Sequence, residues 1–542
     1  MNRRLAGGDG GLPAPRLWDG HLSSRRVRLA LAVLAMAGLA AGLALAIANS
    51  THGGRVGAAR PMSATRAAAV GSVGSTATPP RRANIVFILT DDLSMDLLPF
   101  MPQVQALQAG GMTFNDYFVS DSLCCPSRSS IFTGDFPHDS GVFGNIGPNG
   151  GIKAFYRHGD ENHTFNLALQ QSGYLTAMMG KYLNGYLQGP KLSPVSNDYV
   201  PPGWNQWDVA GLGYREFNYA MNEDGKLHHY GDKPDDYLTN VLAERAVRFI
   251  RRAAKQTKPF FLEVATFAPH RPYTPSPRYA NDFTGVAAPE PPNFNVLPIN
   301  PPSWLAGHPP LSATQIQEIN EAFEERVEDV QSVDNMIASI EKSLANHGLL
   351  KNTYIVFSSD NGLHTGEYRL MPGKLTAYDT DIHVPLVIAG PGVPPGSTTD
   401  AMTENIDLAK TFTAIGGTTL PSDGHSLMGL LEGKHPAAWR NAILVEHHGP
   451  DYGKTDPDEQ SFDSGNPTTY EAIRTPDFLY VEYVGGEKEF YDLKTDRYEL
   501  DNIVDSLTPA ELALLHRELL SLERCHGGKE CWAAAHVDPG PN

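Results

Sequence analysis

The chain is poor in cysteine, with four in 542 residues. Cys124 and Cys125 are neighbours, which leaves Cys525 and Cys531 as the only other thiols, too few for a zinc site although His526 adjoins one of them. In an exported chain those two are expected to close a small disulfide loop, a free pair being the alternative. Positive charge is also short. Lys and Arg number 43 against 61 Asp and Glu, a formal net charge of −18 at pH 7. With no basic run past the amino-terminal stretch, a nucleic-acid backbone is excluded as the natural partner, and an anion site must assemble its own cations.

What is present begins with an apolar run over residues 29–48, preceded by Ser24-Arg25-Arg26-Val27-Arg28 and ending in the small-x-small form Ala46-Ile47-Ala48. Residues 1–48 read as a signal peptide or a membrane anchor, since the run has a cleavage site and is long enough to span a bilayer. The arginine pair resembles a twin-arginine signal, with Arg28 where an aromatic is commoner. Export follows, to the cell envelope or beyond. Residues 49–82, rich in Gly, Ala, Ser, Thr and Pro, read as a disordered linker.

The most informative stretch is Leu123-Cys124-Cys125-Pro126-Ser127-Arg128, continuing to Thr133-Gly134. Proline fits the first turn of a helix, so the cysteines stand at a helix start, where unpaired N–H groups and partial positive charge favour an anion. Arg128, one turn on, adds a fork suited to sulfate or phosphate. A disulfide or a buried structural thiol is the alternative, and neither calls for the arginine.

Four apolar runs predict buried strands, each followed by polar residues. Residues 84–89 lead to Thr90-Asp91-Asp92; 174–179 to Gly180-Lys181-Tyr182-Leu183-Asn184; 260–267 to Pro269-His270-Arg271-Pro272; and 354–357 to Ser358-Ser359-Asp360-Asn361-Gly362. Adjacent carboxylates such as Asp91 and Asp92 repel unless a cation lies between them, and hard cations prefer oxygen ligands. In an open α/β sheet the carboxyl ends of strands form the ligand-binding rim, so these runs would deliver Asp91, Asp92, Lys181, His270, Asp360 and Asn361 to one place. Apolar spacing predicts helices over 238–249 and 316–340, the latter capped by Ser312 and stopped by Gly348. A Pro-rich segment, 271–311, is a candidate rim for substrate selection or a passive surface wrap. Another strand is expected at 383–388, then a helix and loop over 404–430. From about 442 a small antiparallel sheet (471–474, 479–483, 489–493) with a helix at 507–522 is expected. His447 and His448 stand at its start and read as structural or solvated.

Cys124-x-Pro126-Ser127-Arg128 with Thr133-Gly134 resembles the signature of type I sulfatases, in which the first cysteine becomes formylglycine (3-oxoalanine). Asp91-Asp92, Gly180-Lys181, Pro269-His270, Asp360-Asn361-Gly362 and Gly373-Lys374 follow in family order, and the likeness runs from 84 to about 526. The Cys-Cys form and Gly-Lys-Tyr-Leu-Asn resemble the N-acetylglucosamine-6-sulfatase branch. The resemblance implies an α/β, alkaline-phosphatase-like fold, a mixed, mostly parallel sheet sandwiched by helices. A catalytic domain would occupy 83–441 and a smaller antiparallel α+β subdomain 442–536. It implies Ca2+, with Mg2+ the alternative, held by Asp91, Asp92, Asp360, Asn361 and the modified Cys124, which a formylglycine-generating enzyme would produce. Arg128 would steady the aldehyde hydrate; Lys181, His270 and Lys374 would hold the sulfate of a sulfated small molecule or glycan and assist the leaving oxygen; Asp360 would take the attacking proton. Two positions depart from the pattern: Leu183 stands where many sulfatases have His, leaving Asn184 as a substitute hydrogen-bonding group, and His383 stands where they have Arg. The implied reaction is release of inorganic sulfate, with phosphonate or phosphodiester hydrolysis and non-catalytic binding of sulfated glycans as the alternatives.

Overall fold

Asn84–Thr90 forms a strand buried at every position, which is why its sequence is a continuous apolar run with no polar face. In the computed structural model, which describes residues 82–540 except 435, 437, 451–455 and 457, this strand is central to a ten-stranded sheet. It runs parallel to Phe260–Ala265 on one side and to Thr353–Ser359 on the other. Leu175–Lys181 and Gln206–Gly211 extend the parallel part beyond Phe260–Ala265, and the antiparallel strands Ala220–Glu223 and Lys226–His229 close that edge. On the far side Leu386–Ala389 is antiparallel to Thr353–Ser359, followed by Met112–Phe114 and Ser397–Thr399. The architecture is the mixed, mostly parallel, helix-flanked sheet expected.

Alternate residues of the central strand serve two cores. Val86 and Ile88 pack with the helices Leu238–Ala253 and Ala313–Asn346, while Ile85, Phe87 and Leu89 pack with Ile131, Phe132, Phe165 and Phe412 on the other face. Ser312 caps the long helix: its Oγ accepts from the Gln315 N–H at 3.3 Å, and Gln315 accepts in return from the Ser312 N–H at 3.0 Å. Gly348, just past its end, adopts φ +68°, as a helix stop requires. Gln206–Gly211 and the edge pair beyond it were not legible in the sequence. Lys226–His229 is exposed along its whole length, so it carries no apolar signal and exists because a neighbour offers a ladder.

A second sheet of four antiparallel strands, Ile443–His447, Tyr470–Arg474, Phe478–Tyr483 and Lys488–Asp492, follows in chain order. Its alternation is of period two: Ile443, Val445, Ala472 and Val481 join the core under the large sheet, and Leu444, Ile473, Tyr480 and Phe490 meet Leu515, Leu519 and Leu522 of the helix Pro509–Glu523. Cys525 and Cys531 form the expected disulfide, joining that helix to Gly527–Ala534, a helix the sequence reading did not foresee.

The expected signal or anchor segment lies outside the described residues, as does the linker up to residue 81. Arg82, assigned to that linker, belongs to the fold instead. Its guanidinium donates to the Ser172 and Gly416 carbonyls at 2.7 and 2.9 Å and lies over the Tyr174 ring. No helix among the described residues is long and apolar enough to cross a membrane.

Glu263, in the middle of Phe260–Ala265, is fully buried, and neither carboxyl oxygen has a hydrogen-bond partner. Burial, only partly opposed by Arg128, pushes its pKa from 4.5 to about 8. Below pH 4.5 the group is neutral in folded and unfolded chains alike. Between 4.5 and 8 only the unfolded chain ionises freely, so this group's contribution to stability is lost progressively as pH rises, by on the order of 3–5 kcal/mol across the window. Glu263→Gln is therefore expected to raise the melting temperature at pH 8 and not at pH 4.5; equal melting shifts at the two values would refute the account.

Candidate active site

The helix Cys124–Thr133 is buried at all ten positions, so it has no solvent face and lies as a strut beneath the sheet rim. It ends because Gly134 takes φ +76°, where a Cβ would also come within 2.8 Å of Ser422 Oγ, which accounts for Thr-Gly at the end of the motif. Gly180 is demanded more severely: with φ +97°, a Cβ there would lie 1.9 Å from the Ala265 carbonyl oxygen. Only glycine lets this strand approach its neighbour and deliver Lys181.

The rim residues converge as predicted. Asp91 Oδ2 lies 2.5 Å from Lys181 Nζ, and Asp92 Oδ1 lies 2.6 Å from Lys374 Nζ. Lys374 Nζ is 3.1 Å from Cys124 Sγ, which donates to Asp91 Oδ1 at 3.2 Å. Arg128 Nε donates to Asp360 Oδ2 at 2.7 Å, with Nη2 3.7 Å from Asp91 and Nη1 donating to the Lys181 carbonyl. Asp92 stands in the left-handed region, φ 62°, with its carbonyl held at 2.7 Å by the buried Arg326 of the long helix, a supporting residue the sequence reading missed.

In the first helical turn the Cys125 N–H donates to Asn145 Oδ1 at 2.9 Å, and Arg128 turns to carboxylates. Lys181 and Lys374 lie on Asp91 and Asp92. The reason is electrostatic: in a buried site each carboxylate takes the nearest cation.

The charges answer one another. Burial alone would raise the Asp91 pKa, but Lys181, His270, Arg128 and Lys374 hold it well below the usual carboxylate range. At Asp360 burial prevails over Arg128, bringing its pKa up to about 6. Burial would lower His270, yet Asp458, Asp92 and Asp91 keep it above its ordinary value. Burial, then Asp458 and Asp91, push the Cys124 thiol well up, so the side chain is a neutral thiol.

The donor set fits a hard cation. One ligand atom each from Asp91, Asp92, Cys124 and Asp360 lie within 4.8 Å of one another. Asn361 donates to Asp92 Oδ1 through Nδ2 at 2.7 Å, while its side-chain oxygen Oδ1 is buried without a hydrogen-bond partner. Such an oxygen is costly unless something coordinates it. Sulfur is the one soft donor in the group, so an oxygen at position 124 would suit Ca2+ or Mg2+ better.

Asp458 went unrecognised in the sequence. It lies 188 residues beyond His270 and 334 beyond Cys124, in a Gly-, Pro- and Asp-containing stretch without periodicity. Its Oδ1 is 2.7 Å from Lys374 Nζ and bonds His270 Nε2; its Oδ2 accepts from Asn145 Nδ2 at 2.7 Å and Asn184 Nδ2 at 3.4 Å and lies 3.7 Å from Cys124 Sγ. Asn145 was missed for the same lack of a local signal.

Asn184 is thus at the site, its N–H also donating to Cys125 Sγ at 2.9 Å; Cys125 is packed in the core yet is not purely apolar in its contacts. Leu183 belongs to that core. His383 is elsewhere, bonding the Asn115 carbonyl. His447 is buried, its pKa pushed down to about 3 by burial, and His448 stacks on Phe143.

Residues 83–418 match the sulfatase family, and residues 366–524 match the C-terminal region of N-sulphoglucosamine sulphohydrolase. The chain is 35% identical over 498 residues to N-acetylglucosamine-6-sulfatase of Capra hircus, covering 86% of this chain and 88% of the relative. It is also 35% identical over 490 residues to that of Homo sapiens, covering 85% and 88%. Among solved structures, BT4656 in complex with its substrate D-glucosamine-2-N,6-O-disulfate superposes with TM-score 0.67 at 25% identity, covering 84% of this chain and 98% of that one. A phosphonate monoester hydrolase of Agrobacterium radiobacter shares the fold, with TM-score 0.62 at 22% identity over 82% of this chain and 95% of that one.

Proposed function

Because this chain belongs to the sulfatase family, and is therefore a sulfuric ester hydrolase, we propose that it releases inorganic sulfate from the 6-position of N-acetylglucosamine or a related sulfated glucosamine. The observation that carries the reaction is the convergence on Cys124 of a carboxylate pair and a buried lysine, with Sγ 3.2 Å from Asp91 and 3.1 Å from Lys374 Nζ. The choice of sugar is supported by the relatives.

Oxidised to formylglycine by a formylglycine-generating enzyme, residue 124 would supply a geminal diol, one hydroxyl for attack on sulfur and the other to expel the sulfate. Asp91, Asp92, Asp360 and Asn361 would hold Ca2+, or alternatively Mg2+, together with residue 124, placing positive charge against the sulfuryl oxygens. The chain's own residues do the rest. Lys181 and Lys374 bind and neutralise the sulfuryl group, Arg128 fixes Asp360 in place, Asp360 takes the proton of the attacking hydroxyl, and His270 or Lys374 delivers one to the departing sugar oxygen. Asn184 contributes a hydrogen bond at the substrate. Residues 83–441 would form the catalytic domain and 442–536 the subdomain beside it, and residues 1–48 would direct export or anchor the chain in a membrane.

The test compares sulfate release from N-acetylglucosamine-6-sulfate with hydrolysis of an aryl phosphodiester. Turnover of the sugar sulfate at least a hundredfold more efficient than that of the diester is expected; the reverse ranking would identify a phosphodiester hydrolase, and saturable binding without turnover a glycan-binding protein. Chelation by EDTA should abolish the sulfate release and lower the melting temperature, and added Ca2+ should restore both more fully than Zn2+. Full activity in metal-free protein would remove the cation from the reading.

A further inference from the structure

Asp458 presents a carboxylate to the residues assigned above to the sulfate. It is buried, and its oxygens face the donors Lys374, His270, Asn145 and Asn184. Its Oδ2 is 3.7 Å from Cys124 Sγ, in contact with the residue expected to carry the reaction. The backbone around it is held too. The Asp458 N–H donates to Asp456 Oδ1 at 3.0 Å, Gln460 Nε2 donates to the Asp458 carbonyl at 2.6 Å, and Arg271 Nη2 donates to the Glu459 carbonyl at 2.7 Å.

A carboxylate and a sulfate ester cannot share these donors. Both are oxyanions that need the same N–H groups, and two negative charges a few ångströms apart in a buried site repel strongly. Resting on the sulfatase reading, we propose that Asp458 is a tethered anion that occupies the sulfuryl subsite between turnovers and is exchanged for the sulfate of substrate and product. Tethering gives it a high effective concentration at the site. It keeps Lys374 and His270 paired when no ligand is bound, and it competes with inorganic sulfate, which the same cations would otherwise release slowly.

The discriminating measurement is a gain of binding, which a damaged fold would not produce. In the full-length protein, Asp458→Asn and Asp458→Ser are expected to lower the inhibition constant of inorganic sulfate at least tenfold and to enlarge the rise in melting temperature caused by a fixed sulfate concentration. An unchanged or raised inhibition constant would overturn the proposal. Weakened Ca2+ binding in a chelator titration, with sulfate affinity unchanged, would make Asp458 a metal ligand instead. If the wild-type chain hydrolyses no sulfate ester, the functional reading fails, while the thermal shift with sulfate still decides the competition. If neither variant folds, a structure of the wild-type protein with inorganic sulfate decides: Asp458 is expected to have left the donors, and sulfate bound with Asp458 still in place would refute the exchange.

Discussion

Cys124→Ala should release no sulfate above background and yet unfold cooperatively near the wild-type temperature. The substitution removes the sulfur that lies 3.2 Å from Asp91 and 3.1 Å from Lys374 Nζ, but it trims a small side chain in a helix held by the packing of Ile131 and Phe132 and capped by Gly134. Cys125→Ala makes the internal comparison. Cys125 Sγ bonds Asn184 and packs in the core. Its loss should leave most of the activity and cost about 1–2 kcal/mol of stability. Peptide mass spectrometry should find the thiol-to-aldehyde conversion at position 124 alone. Cys124→Ser sharpens the test, because one hydroxyl can accept the sulfuryl group but has no geminal partner to expel it, so a single turnover with a trapped serine sulfate ester is expected. Sustained turnover from that variant, or an aldehyde at Cys125, would overturn both assignment and mechanism.

Lys181→Ala and Lys374→Ala should each reduce kcat/KM by about 30- to 1,000-fold, equivalent to about 2–4 kcal/mol of transition-state stabilisation, because charge on the sulfuryl group is left uncompensated where water is excluded. Both lysines are buried, which alone would lower their pKa values, but the negative groups around them together, led by Asp91 at Lys181 and by Asp458 and Asp92 at Lys374, hold both well above the ordinary lysine range. Removing either also takes the nearest cation from a buried carboxylate, so metal-free variants should melt lower, with Ca2+ recovering more of the loss than in wild type. The double variant should lose less than the product of the single effects, because the two lysines serve one network around Cys124. A loss below tenfold in both single variants would place the sulfuryl pocket elsewhere.

The parts of this protein that were legible in the sequence are those whose physics is local. A strand buried on both faces must be continuously apolar, and Asn84–Thr90, Phe260–Ala265 and Thr353–Ser359 declare themselves that way. Ser312 with Gln315 is a capping box within four residues, and Gly134 is a helix end written beside the helix it ends. The rim residues were legible because the fold class places strand ends together, so Asp91, Asp92, Lys181, Asp360 and Asn361 could be gathered from separate runs. Tertiary structure decided what depends on partners far along the chain. Lys226–His229 is a strand only because Ala220–Glu223 stands beside it. Lys181 and Lys374 lie on carboxylates because burial makes pairing obligatory, a choice that spacing does not encode. Asp458 reaches Lys374, His270, Asn145 and Asn184 through an aperiodic loop. Its place at the centre of the site follows from long-range electrostatic complementarity inside a low-dielectric pocket, and no neighbouring residue in the sequence carries that information.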